Sequence, residues 1–470
     1  MSFITRRKPI SASQVQEGGH ALRRTLSWPH LVALGVGAIV GTGILTLTGV
    51  GAGLAGPAVI LSFVIAGAIC ACAALAYAEM ATMMPAAGSA YTYSYTVLGE
   101  LLAWIVGWSL ILEYTVVCSA VSVGWSAYAV GFLQNQAGLD LPQALIAGPH
   151  AGGLVNLPAV FISLAVAGLL LAGTRESANV NFVLVVLKLI ALAVFVVIAF
   201  MAFNAGNYEP FMPNGFWPTT NADGTRVGVA AAAAIIFFAF YGFDAISTAA
   251  EEAKNPGRDL TIGIVGSMAA CTLIYMAVAG AALGAMPAAE LAKSEEPLAL
   301  VLRTLGQPLA AGMMAAAAFV ALPTVIMAFM FGQSRIFFAM ARDGLLPTGL
   351  AKVSGRGVPV FVTIFTGVVA AAIAGAFPLD EIAALANAGT LLAFIATAAC
   401  MMILRRRAPE AQRPFRTPLW WLVGALAIVG CIWLFTSLPL TTMRNFLIWN
   451  ALGIVVYLVY GRAKSRLAKA

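Results

Sequence analysis

Residues 35–43 read GVGAIVGTG, four glycines crowded into the middle of an apolar run. Residues 240–244 read FYGFD and follow a second apolar run, VAAAAAII at 229–236. Glycine weakens a helix by about 1 kcal/mol relative to alanine, so a helix entering either stretch is expected to open there. An opened helix surrounded by hydrocarbon exposes N–H and C=O groups that cost several kcal/mol each. The break is tolerable where it faces a cavity and a ligand completes it. Amides at the start of the second half-helix, near Thr42 and Gly43, suit a carboxylate. Carbonyls at the end of the first, near Ile39, suit an ammonium, and a zwitterionic amino acid carries both groups. The other reading treats these glycines as close helix-packing positions. A pair of breaks at corresponding places in two halves of a chain favours a midplane binding site.

Working outward, the whole chain is built for a bilayer. Of its 470 residues, 61% are hydrophobic and only 10% are charged, against about 25% charged in soluble domains. That excludes a soluble enzyme, a disordered chain and a fibrous protein. The continuous apolar runs also argue against a porin-like barrel, whose strands alternate. A transmembrane helix needs about 20 apolar residues. The runs and breaks predict twelve spans: 29–48, 56–84, 98–133, 157–174, 178–202, 227–253, 260–285, 310–341, 358–377, 381–404, 417–437 and 443–461.

With the N-terminus inside, Arg226, Lys293, Arg303 and Arg444 are the cations expected outside, and Lys188 lies mid-membrane. The rest of the 26 fall inside, as the positive-inside rule asks. The expected organisation is a cytosolic segment 1–28, a first repeat 29–202 (spans one to five) and a second repeat 227–405 (spans six to ten). A further pair of spans fills 417–461, before a cytosolic tail 462–470. Five spans per half invert the second repeat relative to the first. The basic stretch Arg6-Arg7-Lys8 is read as leading into an uncleaved first span. All six cysteines (Cys70, Cys72, Cys118, Cys271, Cys400, Cys431) lie in apolar runs, so free thiols are expected. No metal or cofactor motif stands out.

At these residues a family becomes recognisable. GAIVGTGILTLTG (37–49) resembles the first-span signature of the amino acid–polyamine–organocation superfamily. FFAFYGFDAISTAAEEAKNPGRDL (237–260) is similar to the sixth-span signature of its cationic amino acid transporter branch. PAAGSAYTYSYTVLGE (85–100), GWSLILEYTVVCSAVSVGWS (107–126) and FGQSRIFFAMARDGLLP (331–347) fit the same branch, in the same order. The resemblance implies an all-α integral membrane protein with a leucine-transporter-type five-plus-five inverted repeat and two extra C-terminal helices. It implies amino acid transport. By position, the amides of Thr42 and Gly43, after the break at Gly41, would hold a substrate carboxylate. The carbonyls of Ile39, Phe238, Ala239 and Tyr241 would hold its amino group, and Phe240 or Phe243 would gate the site. The family more often has an aliphatic residue where Tyr241 stands.

Lys188 sits in the middle of NVNFVLVVLKLIALAVFVV, at least nine residues from either end of its span. A lysine there costs on the order of 3 kcal/mol even on insertion scales, and is too deep to snorkel. It is read as a titrating amine that loads and releases a proton as the cavity opens to each side. The resemblance implies the same: in proton-coupled members a fifth-span lysine replaces the sodium ion bound between spans one, five and eight, bonding carbonyls of the broken first span. Glu113 in the third span has several readings: a second proton-responsive group, a partner for freed amides, a recogniser of a cationic side chain, or a structural carboxyl. Glu79 reads as a packing or inner-gate carboxyl, and Asp244 as a cap on the half-helix after the second break. Glu251, Glu252, Lys254, Arg258 and Asp259 form a charged cytosolic turn.

The expectation is a proton-coupled amino acid symporter of the cytoplasmic membrane, multi-pass, with both termini cytosolic and no nucleic-acid partner. Its partners are an amino acid, protons and the bilayer. A small membrane subunit or a sterol-like lipid stays open for the last two spans. The alternative is an exchanger of cationic amino acids or polyamines. A membrane enzyme would need a catalytic dyad or metal site, and a channel would need repeated polar rings along a pore; the sequence offers neither.

Overall fold

The structure is a computed structural model that describes residues 6–9, 26–86, 88–139, 141–171, 178–222, 224–250, 253–352 and 359–469. Arg23, Arg24, Arg175, Glu251, Glu252 and Arg356 lie outside the described residues. Among those described, the one sheet is a short ribbon, Thr219–Thr220 antiparallel to Arg226–Val227. All else of regular structure is helical, because a chain this apolar meets its backbone hydrogen-bonding demand within each segment.

The first apolar segment is interrupted: α1 (Trp28–Ile39) is followed by α2 (Thr42–Leu45) and α3 (Leu47–Ala55). Then come α4 (Val59–Met83), the short α5 (Ala90–Val97) and the long α6 (Glu100–Ala137). They are followed by α7 (Leu157–Leu171) and α8 (Ala178–Met201). A second interruption separates α9 (Val229–Ile236), which ends in a tight turn over Phe237–Ala239, from α10 (Phe243–Thr248). The remainder comprises α11 (Pro256–Ala285), α12 (Ala288–Leu291), α13 (Pro297–Thr304) and α14 (Pro308–Arg342). It closes with α15 (Val360–Ala376), α16 (Leu379–Arg407), α17 (Trp420–Ser437) and α18 (Leu440–Val456).

Nine segments among the described residues are long and apolar enough to cross a membrane, and Trp28–Ile39, Leu157–Leu171 and Val360–Ala376 are shorter apolar helices. The segments at 98–133 and 310–341, the two longest of the spans expected from sequence, fall on the two longest helices, α6 and α14. They pack along one another, with α16 on another flank of α6. Hydroxyls and amides join the helices where burial leaves no water. Ser163 and Ser122 share a 2.7 Å hydrogen bond between α7 and α6. Ser126 donates to Asn156 Oδ1 at 2.6 Å, and that oxygen also accepts the Ala159 amide in the first turn of α7. Such contacts replace the hydrophobic drive that helices lack in lipid.

One end of the bundle is tied by charge. Glu79 near the end of α4 is 1% exposed; its carboxylate pairs with Arg405 at 2.7 Å and Arg413 at 3.2 Å, and accepts the Thr417 amide at 2.8 Å. At that end Lys8 pairs with Asp343 at 3.0 Å, and Glu100 accepts from Tyr95, Tyr457 and Ser465. At the opposite end Glu296 pairs with Arg303 and lies against Gly131 of α6. Lys254 and Arg258 are exposed and make no ion pair among the described residues, while Asp259 accepts the Asn255 amide at the start of α11.

Candidate functional site

The two interruptions lie against each other. A Cβ on Gly43 would fall 2.3 Å from Ala239 Cα, so the second half of the first segment crosses the break of 229–248 backbone to backbone. Gly242 has φ +122, a conformation that disfavours any side chain. A Cβ there would lie 2.9 Å from the Ala38 carbonyl carbon and 3.0 Å from the Ile39 nitrogen. The two breaks therefore grip each other at two points. Residues 35–49 and 227–250 are buried throughout, so the crossing is closed to solvent on every side.

The backbone groups freed by the first break divide into two sets. Some are met by side chains. Lys188 of α8, 5% exposed, donates from Nζ to the Gly37 and Val40 carbonyls at 2.7 and 2.8 Å. Tyr275 donates to the Ile39 carbonyl at 2.7 Å, and Tyr128 to the Leu45 carbonyl at 2.7 Å. Others are unmet. The amides of Thr42 and Gly43 sit in a first helical turn, which has no acceptor of its own, and donate to nothing among the described residues. At the second break Asn387 of α16 donates to the Ala234 and Ile235 carbonyls at 2.7 and 3.1 Å. The carbonyls of Phe238, Ala239 and Tyr241 accept nothing among the described residues. Unmet amides and unmet carbonyls thus flank one crossing, a pattern that a zwitterion can complete.

The aromatic side chains of the second break point three ways. Phe240 packs edge-on to Phe63 and Tyr275 with ring centroids at 6.1 and 5.2 Å, between α4 and α11. Phe243 packs on Tyr77 and Phe394 at 5.7 and 5.0 Å. Phe238 and Tyr241 pack on each other at 5.0 Å, and Tyr241 faces Phe329 of α14 at 6.2 Å. Asp244 folds back on its own break: Oδ1 accepts the Gly242 amide at 3.0 Å and Oδ2 the Tyr114 hydroxyl at 2.9 Å. Glu113, next to Tyr114, is fully buried against Gly389 of α16 beside the Thr390 hydroxyl, and its carboxylate makes no ion pair among the described residues. Beside Lys188 lies a cavity of about 10 Å³ between Val40, Leu45, Ala191 and Leu322, room for one water.

Against known families, residues 26–459 match the model described as amino acid permease. The chain belongs to this family of amino acid permeases. It is 43% identical over 455 residues to the branched-chain amino acid permease BcaP of Bacillus subtilis (strain 168), covering 96% of each chain. It is 41% identical over 477 residues to a methylthioribose transporter of the same organism, covering all of both. Identity to cationic amino acid transporter 2, vacuolar, of Arabidopsis thaliana is 38% over 415 residues, 87% of this chain and 64% of the relative. The permease is a membrane transporter of amino acids and not an enzyme.

Sequence reasoning singled out Lys188, Glu113, Asp244 and both breaks, and the permease brings all of them to one region. It missed Tyr275, Tyr128 and Asn387, which satisfy freed carbonyls. Asn387 carried a signal, a lone amide in the apolar stretch LANAGT. The two tyrosines carried none, since nothing in a helix's own sequence says which distant carbonyl its hydroxyl will meet.

Proposed function

We propose that this permease is a proton-coupled symporter that moves amino acids across the cytoplasmic membrane by alternating access. In this reading twelve spans form a leucine-transporter-type arrangement, with 29–202 and 227–405 as inverted repeats and both termini cytosolic. The substrate carboxylate rests on the Thr42 and Gly43 amides. Its ammonium rests on the carbonyls of Phe238, Ala239 and Tyr241, with the second lone pair of Ile39 in reach.

The observation that carries the coupling is the contact of Lys188 with the Gly37 and Val40 carbonyls. A charged donor makes hydrogen bonds about twice as strong as a neutral one. The protonated amine therefore holds the broken turn in the substrate-binding geometry, and loss of the proton loosens it. The proton and the substrate favour the same conformation, which is what symport requires.

The test is uptake of labelled leucine, alanine and arginine into proteoliposomes under an imposed pH gradient. Uptake that rises with an acidic outside supports coupling; uptake indifferent to the gradient refutes it. One observation favours the second reading, exchange of cationic amino acids: the Glu113 carboxylate is fully buried with no ion pair among the described residues, and a cationic side chain would supply one. Arginine competing better than leucine, with transport requiring amino acid on both sides, selects that reading.

A further inference from the structure

The outermost helix, α18, is mostly exposed, with only Thr442, Phe446 and Gly453 buried along it. It packs on α16, and Phe446 meets Phe435 of α17, but its side-chain hydrogen bonds to α6 all fall on one stretch of that helix. Trp108 donates its indole N–H to the Trp449 carbonyl at 2.9 Å, and Trp449 donates its own to the Trp108 carbonyl at 3.0 Å. The two rings stack at 4.8 Å. Trp104 donates to the Gly453 carbonyl at 2.8 Å, and Ser109 to Asn450 Oδ1 at 3.1 Å. Gly453 leaves the notch for Trp108, since a Cβ there would sit 2.4 Å from its ring. Reciprocal bonds of this kind fix axial register. Sliding either helix by one residue, about 1.5 Å, breaks both.

The same stretch of α6 leads to the candidate site. Tyr114 lies five residues beyond Ser109, about 7.5 Å further along the axis. Its hydroxyl bonds Asp244, which bonds the Gly242 amide at the second break. We propose that α18 is a positioning element: the Trp108–Trp449–Asn450 clasp sets the height of α6, and through Tyr114 and Asp244 it holds the second break in its shape. This rests on the reading that the breaks form the transport site, but the first readout of its test does not.

Purified permease is compared with Trp449→Phe, which keeps a stacked ring and loses the indole donor, and with Asn450→Ala. The first readout is hydrogen–deuterium exchange, which needs no substrate. Exchange over 240–248 is expected to rise about three- to tenfold in both variants. A rise confined to α18 and the first turns of α6 overturns the proposal and leaves a simple brace. The second readout is labelled-leucine uptake in proteoliposomes, with arginine in parallel. Both variants are expected to lower the maximal rate with little change in KM. In a Tyr114→Phe background, Asn450→Ala is expected to add nothing further, because the route is already cut. Additive losses overturn the proposal. If wild-type protein takes up neither amino acid, the transport-site reading fails alone, and exchange still decides the role of α18.

Discussion

Lys188 is one amine holding two carbonyls of a single opened turn. Lys188→Met keeps the length of the side chain and removes the charge. Proteoliposomes carrying it are expected to lose uptake driven by a pH gradient, while substrate raises the unfolding temperature of the purified protein by less than it does for the wild type. Wild-type gradient dependence in Lys188→Met would remove its coupling role. The glycines of the first break make a sharper contrast. At Gly43 a methyl group meets backbone, Ala239 Cα at 2.3 Å, which cannot turn aside. Overpacking of that kind costs about 1–3 kcal/mol, and here it pries the two breaks apart. Gly43→Ala is expected to abolish uptake and lower the unfolding temperature. At Gly41 the nearest atom to an added Cβ is a Val325 methyl at 3.5 Å, ordinary contact distance. Gly41→Ala is expected to retain most uptake. The reverse order in the same assay would show that crowding at the crossing is not what these glycines relieve.

At the scale of helices, the breaks survive because neighbours complete them. α9 stops short, and its last carbonyls, Ala234 and Ile235, are taken up by Asn387 of α16. Leaving a buried acceptor without its donor costs about 1–3 kcal/mol. Asn387→Leu therefore lowers the thermal unfolding temperature measured in detergent, and lowers uptake because α9 frays where the substrate carbonyls begin. Unchanged unfolding would mean that water or a rotated backbone meets those carbonyls instead. The tight pairing of long helices has a different cause. α6 and α14 are joined by directed bonds: the Gln333 side-chain amide donates to the Ile111 carbonyl at 3.0 Å and the Thr115 hydroxyl at 2.7 Å, and the Trp125 indole donates to the Phe319 carbonyl at 2.8 Å.

Across the whole molecule, one end of the bundle is held by the Glu79 cluster, which ties α4 to the end of α16 and to the chain leading into α17. Removing one partner of a buried pair strands the other, at a cost of about 3–5 kcal/mol. Glu79→Gln is expected to destabilise the permease strongly in thermal unfolding, beyond what the same change does at the exposed Glu290, which pairs only with Lys293. Equal effects at the two positions would remove the cluster's structural role. The sequence marked Glu79 as a packing or inner-gate carboxyl but could not name its partners, which lie more than 300 positions away.

What the sequence determined by itself follows from solvent and spacing. A chain surrounded by lipid satisfies its backbone in helices or a closed barrel, and continuous apolar runs in a chain that is 61% hydrophobic leave the helices. Clustered glycines mark where a helix opens, and a lysine far from either end of an apolar span marks where charge is needed. Those signals are local, so the breaks at 40–41 and 240–242, the long α6 and α14, and the depth of Lys188 in its span could be read directly. The tertiary structure decided which freed group meets which side chain. It set Tyr275 on Ile39, Asn387 on Ala234 and Ile235, and Tyr114 on Asp244, and turned Phe240 and Phe243 into the bundle. Each such pair depends on the rotation and height of two helices far apart in the chain, and no periodicity within either helix encodes that.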